Sequence, residues 1–202
     1  MTLPAASDGV SITKKANSLR GKPRGTDPRK DWNNREESMA DIRVDESPGS
    51  LYFEDHLPGS VYQLGSVLAT EEEMVAFAKQ YDPQVFHIDP EAAKKTSFGG
   101  LVASGWYSVL LAMRLIVDHR LSRVKNLGSP GVEEVRWLKP VRPNDTLFVR
   151  VTTIEARRSQ SKPDRGIVKG LVEVLNQAGE VVTSWKGINI VLCRNDGSQG
   201  LQ

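Results

Sequence analysis

The sequence predicts one α+β domain in which an antiparallel sheet wraps a long apolar helix. Three observations carry this prediction: a nearly continuous apolar run from Leu101 to Val117, four closely spaced β-rich segments from Val132 onward, and no long helical pattern between them. At 202 residues, with 39% hydrophobic and 26% charged side chains, the chain suits one sizeable packed domain. Ser104, Gly105, Ser108 and Arg114 interrupt the apolar run. It is also shorter than the roughly 20 apolar residues of a bilayer span, so it reads as a buried helix and no membrane span is expected.

Residues 1–50 read as a basic, flexible or surface-draped extension. Residues 1–35 hold eight Lys or Arg and three Asp, a balance of +5, against nineteen basic and twenty-two acidic residues, or −3, in the remainder. Gly, Pro and charge from Ser18 to Asn34 leave too few apolar side chains for a core. The overall charge of +2 gives no reason to expect a nucleic-acid partner. A single cysteine, Cys193, allows no internal disulfide, and no secretory apolar segment stands near Met1; a cytoplasmic setting is the expectation.

The domain is expected over residues 51–194, followed by a short polar tail, 195–202. Thr70-Glu71-Glu72-Glu73 forms a capping box, Thr70 accepting from the Glu73 amide and the Glu73 carboxylate returning to the cap amide. Met74, Phe77, Ala78 and Tyr81 then recur at helical spacing. Pro83 disfavours helical geometry at Asp82 and ends this helix there. Asp89-Pro90 is a second start signal, for a turn or two over Glu91 to Lys95, which leaves His87 in a connection between helices. The long helix runs from Gly105 to about His119, apolar nearly all round and therefore wrapped by other structure. Strands are expected at Val132–Val141, Thr146–Ala156, Gly166–Leu175 and Glu180–Leu192, with turns at Arg142-Pro143-Asn144-Asp145 and Asn176-Gln177-Ala178-Gly179. One sheet face would be partly exposed in a lone copy, so pairing with a second copy is the economical solution.

Chemistry concentrates in Tyr81-Asp82-Pro83-Gln84-Val85-Phe86-His87-Ile88-Asp89-Pro90 and Phe98-Gly99-Gly100-Leu101-Val102-Ala103-Ser104-Gly105. Asp82 has two readings: an acid-base group whose carboxyl is raised by partial burial, or a helix-terminal acceptor of local amides. His87 is either an enclosed proton carrier or a packed turn residue between Phe86 and Ile88. A bend at Pro83 can direct both side chains at one volume. At Ser104-Gly105 the first amides of the long helix lack intrahelical acceptors and can receive an oxyanion, with Gly105 permitting close approach. Ser104 is either the N-cap or a group facing the site; no G-x-S-x-G elbow makes it a nucleophile. Gly99-Gly100 lacks a full G-x-G-x-x-G pattern, and His56 and His119 have no zinc spacing, so neither a dinucleotide nor a metal is expected. Trp106, Trp137 and Trp185 read as core or pocket walls, and Cys193 as buried or incidental.

These two segments, with Arg136-Trp137-Leu138-Lys139-Pro140-Val141-Arg142-Pro143 and Asn176-Gln177-Ala178-Gly179-Glu180-Val181-Val182, resemble the MaoC-like dehydratases, which include (R)-specific enoyl-CoA hydratases. The resemblance covers roughly Leu51 to Arg194. It implies a hotdog fold, usually dimeric, with catalytic Asp82 and His87, the Gly105 amide as oxyanion donor and Ser104 as a positioning residue. It also implies reversible hydration of a 2-enoyl-CoA, or dehydration of a 3-hydroxyacyl-CoA. No separate cofactor is required, CoA or phosphopantetheine arriving as part of the substrate, and an acyl carrier protein could present the same group. Gln84 departs from the asparagine of the sharpest hydratase motifs, which leaves substrate scope open. An acyl-CoA thioesterase and a non-catalytic acyl-thioester-binding subunit are the alternatives.

Overall fold

The computed structural model describes residues 11–13 and 48–194. The remainder of the extension, and the tail at 195–202, lie outside the described residues. Within the extension a short strand β1 (Ser11–Thr13) pairs antiparallel with β2 (Val61–Ala69). Three helices follow: α1 (Glu71–Tyr81), α2 (Val85–Ile88) and α3 (Pro90–Ala93). The central helix α4 (Gly105–His119) precedes four long strands, β3 (Asn126–Trp137), β4 (Asp145–Arg158), β5 (Arg165–Leu175) and β6 (Val181–Leu192). The sheet order is β1-β2-β4-β5-β6-β3, every neighbouring pair antiparallel.

The expected parity of β4 is present. Leu147, Val149 and Val151 are buried while Phe148 and Arg150 are partly exposed, and the buried row meets Val172 and Val174 of β5 and Val182 and Trp185 of β6. Helix α4 lays Ala112, Leu115 and Ile116 on this face, in one cluster with Tyr62, Leu64 and Met74. Full burial of each large aliphatic side chain contributes about 1.5–3 kcal/mol, so this layer dominates the driving force.

Two strands depart from the sequence expectation. β2 was not foreseen: Tyr62 and Leu64 alternate inward, but Gly65, at φ +80°, sits in a bulge against β4 that breaks the two-residue period. β3 runs from Asn126 to Trp137 instead of Val132 to Val141. Gly128, Pro130 and Gly131 read as turn residues, yet β3 is an edge strand with register shifts at both glycines, where proline is tolerated. At its far end the Leu138 and Lys139 amides both donate to Val182 O, and Pro140 has no amide to continue the ladder. Wrapping of α4 is also incomplete: Trp106, Leu110 and Val117 are exposed on its outer face, as are Leu127 and Val132 on β3.

Two smaller expectations change in detail. Thr70 Oγ1 accepts from the Glu73 amide at 3.3 Å, but Glu73 Oε2 accepts from the Thr70 hydroxyl at 3.0 Å and from Tyr107 O–H at 3.4 Å, tying α1 to α4 instead of closing on the cap amide. His87 lies between α1 and α3 as expected, and that connection is itself wound into the single helical turn α2. Asp89 caps α3 as expected, accepting from the Glu91 and Ala92 amides.

At the C-terminal end of α4, Arg120 is buried with its guanidinium carbon 3.4 Å from the Tyr62 ring centroid, and Nη2 donates to His56 Nδ1 at 2.9 Å. An arginine there complements the helix dipole. Because the guanidinium only donates, His56 Nδ1 must be a lone pair; its other ring nitrogen is buried without a partner. Burial, and then the Arg120 charge, push the His56 imidazole down to about 4. The unfolded chain, titrating near 6.5, therefore binds a proton that the fold refuses. Stability is complete above pH 6.5 and declines as pH falls toward 4, by about 3 kcal/mol. Urea melts of wild type and His56→Gln at pH 7 and 4.5 check this: the variant should lose less stability between the two pH values, and equal losses would assign the acid lability elsewhere.

Candidate active site

Helix α1 ends at Asp82, whose amide still donates to Ala78 O at 2.9 Å while its own backbone, at φ −150° and ψ 65°, has left the helix ahead of Pro83. The Gln84 amide donates to Asp82 O and the His87 amide to Gln84 O, winding the chain into α2. The glycine-rich segment runs back across this turn. Val102 donates to Phe86 O at 3.1 Å, Ala103 donates to Val141 O at 2.9 Å, and Arg142 Nη2 donates to Phe98 O at 2.7 Å. Ser104 and Gly105 are thereby delivered beside Asp82 and His87.

The four sequence-selected residues come together in one cleft of about 530 Å³. Asp82 Oδ2 accepts from Ser104 Oγ at 2.7 Å and lies 3.4 Å from His87 Nε2; Asp82 Oδ1 accepts from Gln84 Nε2 at 2.7 Å. The Asp82 side chain is 22% exposed and that of His87 8%. His87 Nδ1 is 2.7 Å from Val102 O, and since a carbonyl only accepts, Nδ1 carries the proton. A neutral ring then turns its Nε2 lone pair toward the carboxylate. Two acceptors facing at that separation favour a donor that serves both, such as water or a substrate hydroxyl.

Of the two readings of Asp82, the one with a raised carboxyl is corrected. Donation from Gln84, then from Ser104, outweighs burial, and Asp82 is held below its ordinary value, with His87 adding to the same direction. Asp82 is therefore an ionised acceptor at neutral pH. Gln84, which stood out only as a departure from a motif, is the largest cause.

Ser104 occupies the N-cap position of α4, but its side chain makes no cap hydrogen bond because the hydroxyl is given to Asp82. The helix start is left without a side-chain cap, which suits an incoming anion. Ser108 Oγ donates to Gly105 O at 2.7 Å and meets Thr183 Oγ1 at 3.0 Å, fastening this first turn to β6. Phe86, Phe98, Trp106 and Trp137 supply apolar walls. Trp185 is core, and Cys193 is buried. The wall contributed by Trp137 and Thr183 has no local signature near the Asp-His segment; only strand register brings it there.

The model of the MaoC-like domain matches residues 55–174. The chain belongs to the MaoC-like domain family. Among solved structures, the MaoC-like dehydratase from Rhodospirillum rubrum is 38% identical, with a TM-score of 0.68 over 72% of this chain and 99% of that one. Two more distant neighbours show the fold alone. The R-hydratase PhaJ1 from Pseudomonas aeruginosa is 22% identical, with a TM-score of 0.58 over 74% of this chain and 90% of its own. RV0216 from Mycobacterium tuberculosis, which has a double hotdog fold, is 16% identical with a TM-score of 0.60, over 75% of this chain and 47% of its own. This MaoC-like domain is thus a hotdog: an antiparallel sheet around α4, with Asp82, His87, Ser104 and Gly105 grouped at the start of that helix.

Proposed function

We propose that this MaoC-like domain is a hydro-lyase that hydrates a 2-enoyl thioester and dehydrates the corresponding 3-hydroxyacyl thioester. The observation that carries the proposal is the contact of Asp82 Oδ2 with His87 Nε2, 3.4 Å apart beside a helix start that has no side-chain cap. Water held between them loses a proton to the pair as its oxygen bonds to the β-carbon. Electron density moves through the former double bond to the thioester oxygen, where the Gly105 amide receives the enolate charge. The pair then returns a proton to the α-carbon. Dehydration retraces these steps. With Asp82 held ionised and His87 Nδ1 committed to Val102 O, the proton taken from water is held between Asp82 Oδ2 and His87 Nε2. Ser104 positions Asp82 through its hydroxyl.

The substrate would carry CoA or an acyl-carrier phosphopantetheine, with no further cofactor. The cleft's aromatic walls suit an apolar acyl chain. A homodimer would cover the apolar outer faces of α4 and β3, and a cytoplasmic setting agrees with one buried cysteine. Among the described residues no helix is long and apolar enough to cross a membrane. Purified protein should interconvert enoyl-CoA and 3-hydroxyacyl-CoA across short, medium, branched or aromatic chains. Free CoA released from a saturated acyl-CoA would mark a thioesterase instead, and binding without turnover an accessory subunit.

A further inference from the structure

The first turn of α4 lacks the usual means of holding itself. It begins on Gly105, which without a side chain is the least restrained residue a helix can start from. Ser104, at the cap position, gives its hydroxyl to Asp82 instead of to the helix amides. The opening backbone bond, Ser108 N–H to Ser104 O, is 3.4 Å long, whereas Arg120 N–H reaches Ile116 O at 3.0 Å at the other end of the helix. Two hydroxyls act on this turn instead. Ser108 Oγ lies 2.7 Å from Gly105 O and 3.0 Å from Thr183 Oγ1. A carbonyl only accepts, so the Ser108 proton goes to Gly105 O, and the proton in the second contact comes from Thr183. The relay therefore runs one way, from Thr183 through Ser108 to Gly105. Both residues are 1% exposed, which keeps water from competing for either bond, and both border the cleft that Gly105 lines.

Resting on the thioester reading above, we infer that Ser108 and Thr183 are positioning residues for the Gly105 amide. Thr183 stands within β6, paired with Val174 of β5 on one side and Trp137 of β3 on the other, so its hydroxyl has the rigidity of the sheet. The relay carries that rigidity to the residue of α4 that has least of its own. Gly105 must stay bare, because the Trp137 indole occupies the space a Cβ would take. The restraint that a side chain would supply arrives at its carbonyl instead. A donor amide held in place before substrate arrives need not reorganise as charge moves onto the thioester oxygen.

Ser108→Ala cuts the relay at its last link. In the full chain, kcat for enoyl-CoA hydration should fall about 10-fold with a smaller change in KM. Thr183→Val should act in the same direction but less, and Thr183→Ser should restore the wild-type rate. The double variant should be no slower than S108A, because Thr183 works only through Ser108. A readout independent of turnover is the infrared carbonyl stretch of bound hexanoyl-CoA, a saturated thioester that cannot be hydrated, isotope-labelled at its carbonyl. Wild type should lower this frequency relative to free hexanoyl-CoA, and S108A should return it part of the way; if S108A does not fold, T183V carries the same comparison. Additive losses in the double variant, or equal frequencies in wild type and the variant, overturn the inference, while enoyl-CoA turnover upholds the hydratase reading. A frequency that the variant returns, in a protein that hydrates no enoyl-CoA, upholds the relay and overturns the hydratase reading instead. If hexanoyl-CoA does not bind wild type at all, both fall.

Discussion

Asp82→Asn is expected to lower kcat/KM for enoyl-thioester hydration by about 10³-fold, and His87→Ala by a similar factor, because in the proposed mechanism each removes half of a unit that holds and deprotonates one water. The substitution at Asp82 is nearly isosteric but reverses the hydrogen-bond logic. The carboxylate accepts from both Gln84 Nε2 and Ser104 Oγ, whereas an amide can accept on one side only and sets N–H against a donor on the other. His87→Ala also releases Val102 O from its side-chain partner. The double variant should be little worse than either single one, since groups acting together are not additive. Steady-state kinetics with thermal melts decide the matter. Turnover that persists in both single variants removes Asp82 and His87 from the chemistry.

Gly105→Ala is the second large effect, and helix propensity alone predicts the opposite sign. Alanine is favoured over glycine within helices by up to about 1 kcal/mol, and the backbone of Gly105 is not in the left-handed region. Its Cβ would nevertheless overlap the Trp137 indole. Forcing a methyl into an occupied space costs about 1–3 kcal/mol, so crowding wins. We expect a lower melting temperature and at least a 10²-fold loss of kcat/KM, because the added methyl also crowds the approach to the helix amide. Gly105→Ala combined with Trp137→Leu should recover stability without recovering activity. A Gly105→Ala protein that is more stable and fully active would show that the indole moves aside freely.

Legibility followed the range of the interactions. Helix α4 and strands β4 to β6 could be read because their signals are local: an unbroken apolar run, two-residue alternation, and turns such as Asn176–Gly179 with Gly179 at φ +75°. β2 and the first half of β3 were hidden because a bulge at Gly65 and the Gly128–Gly131 stretch disguise strands as loops. The Asp82, His87, Ser104 and Gly105 group was legible as a set of residue types in two short segments. The downward displacement of the Asp82 carboxyl was not, since it depends on which way Gln84 and Ser104 point. Trp137 was read only as a wall, because nothing near it in the chain says that it reaches Gly105.

The two halves of the proposed acid-base pair differ in how they would withstand mutation over time. The proton on His87 Nδ1 is fixed by the carbonyl of Val102, an atom present whatever side chain occupies that position, so drift there leaves the imidazole in the same tautomer provided the backbone stays in place. The ionised state of Asp82 is fixed by an amide and a hydroxyl belonging to Gln84 and Ser104 themselves. A single codon change at either one alters it. Substitution at 84 or 104 is therefore expected to return the Asp82 carboxyl toward its ordinary value, whereas a new side chain at 102 leaves in place the carbonyl that holds His87.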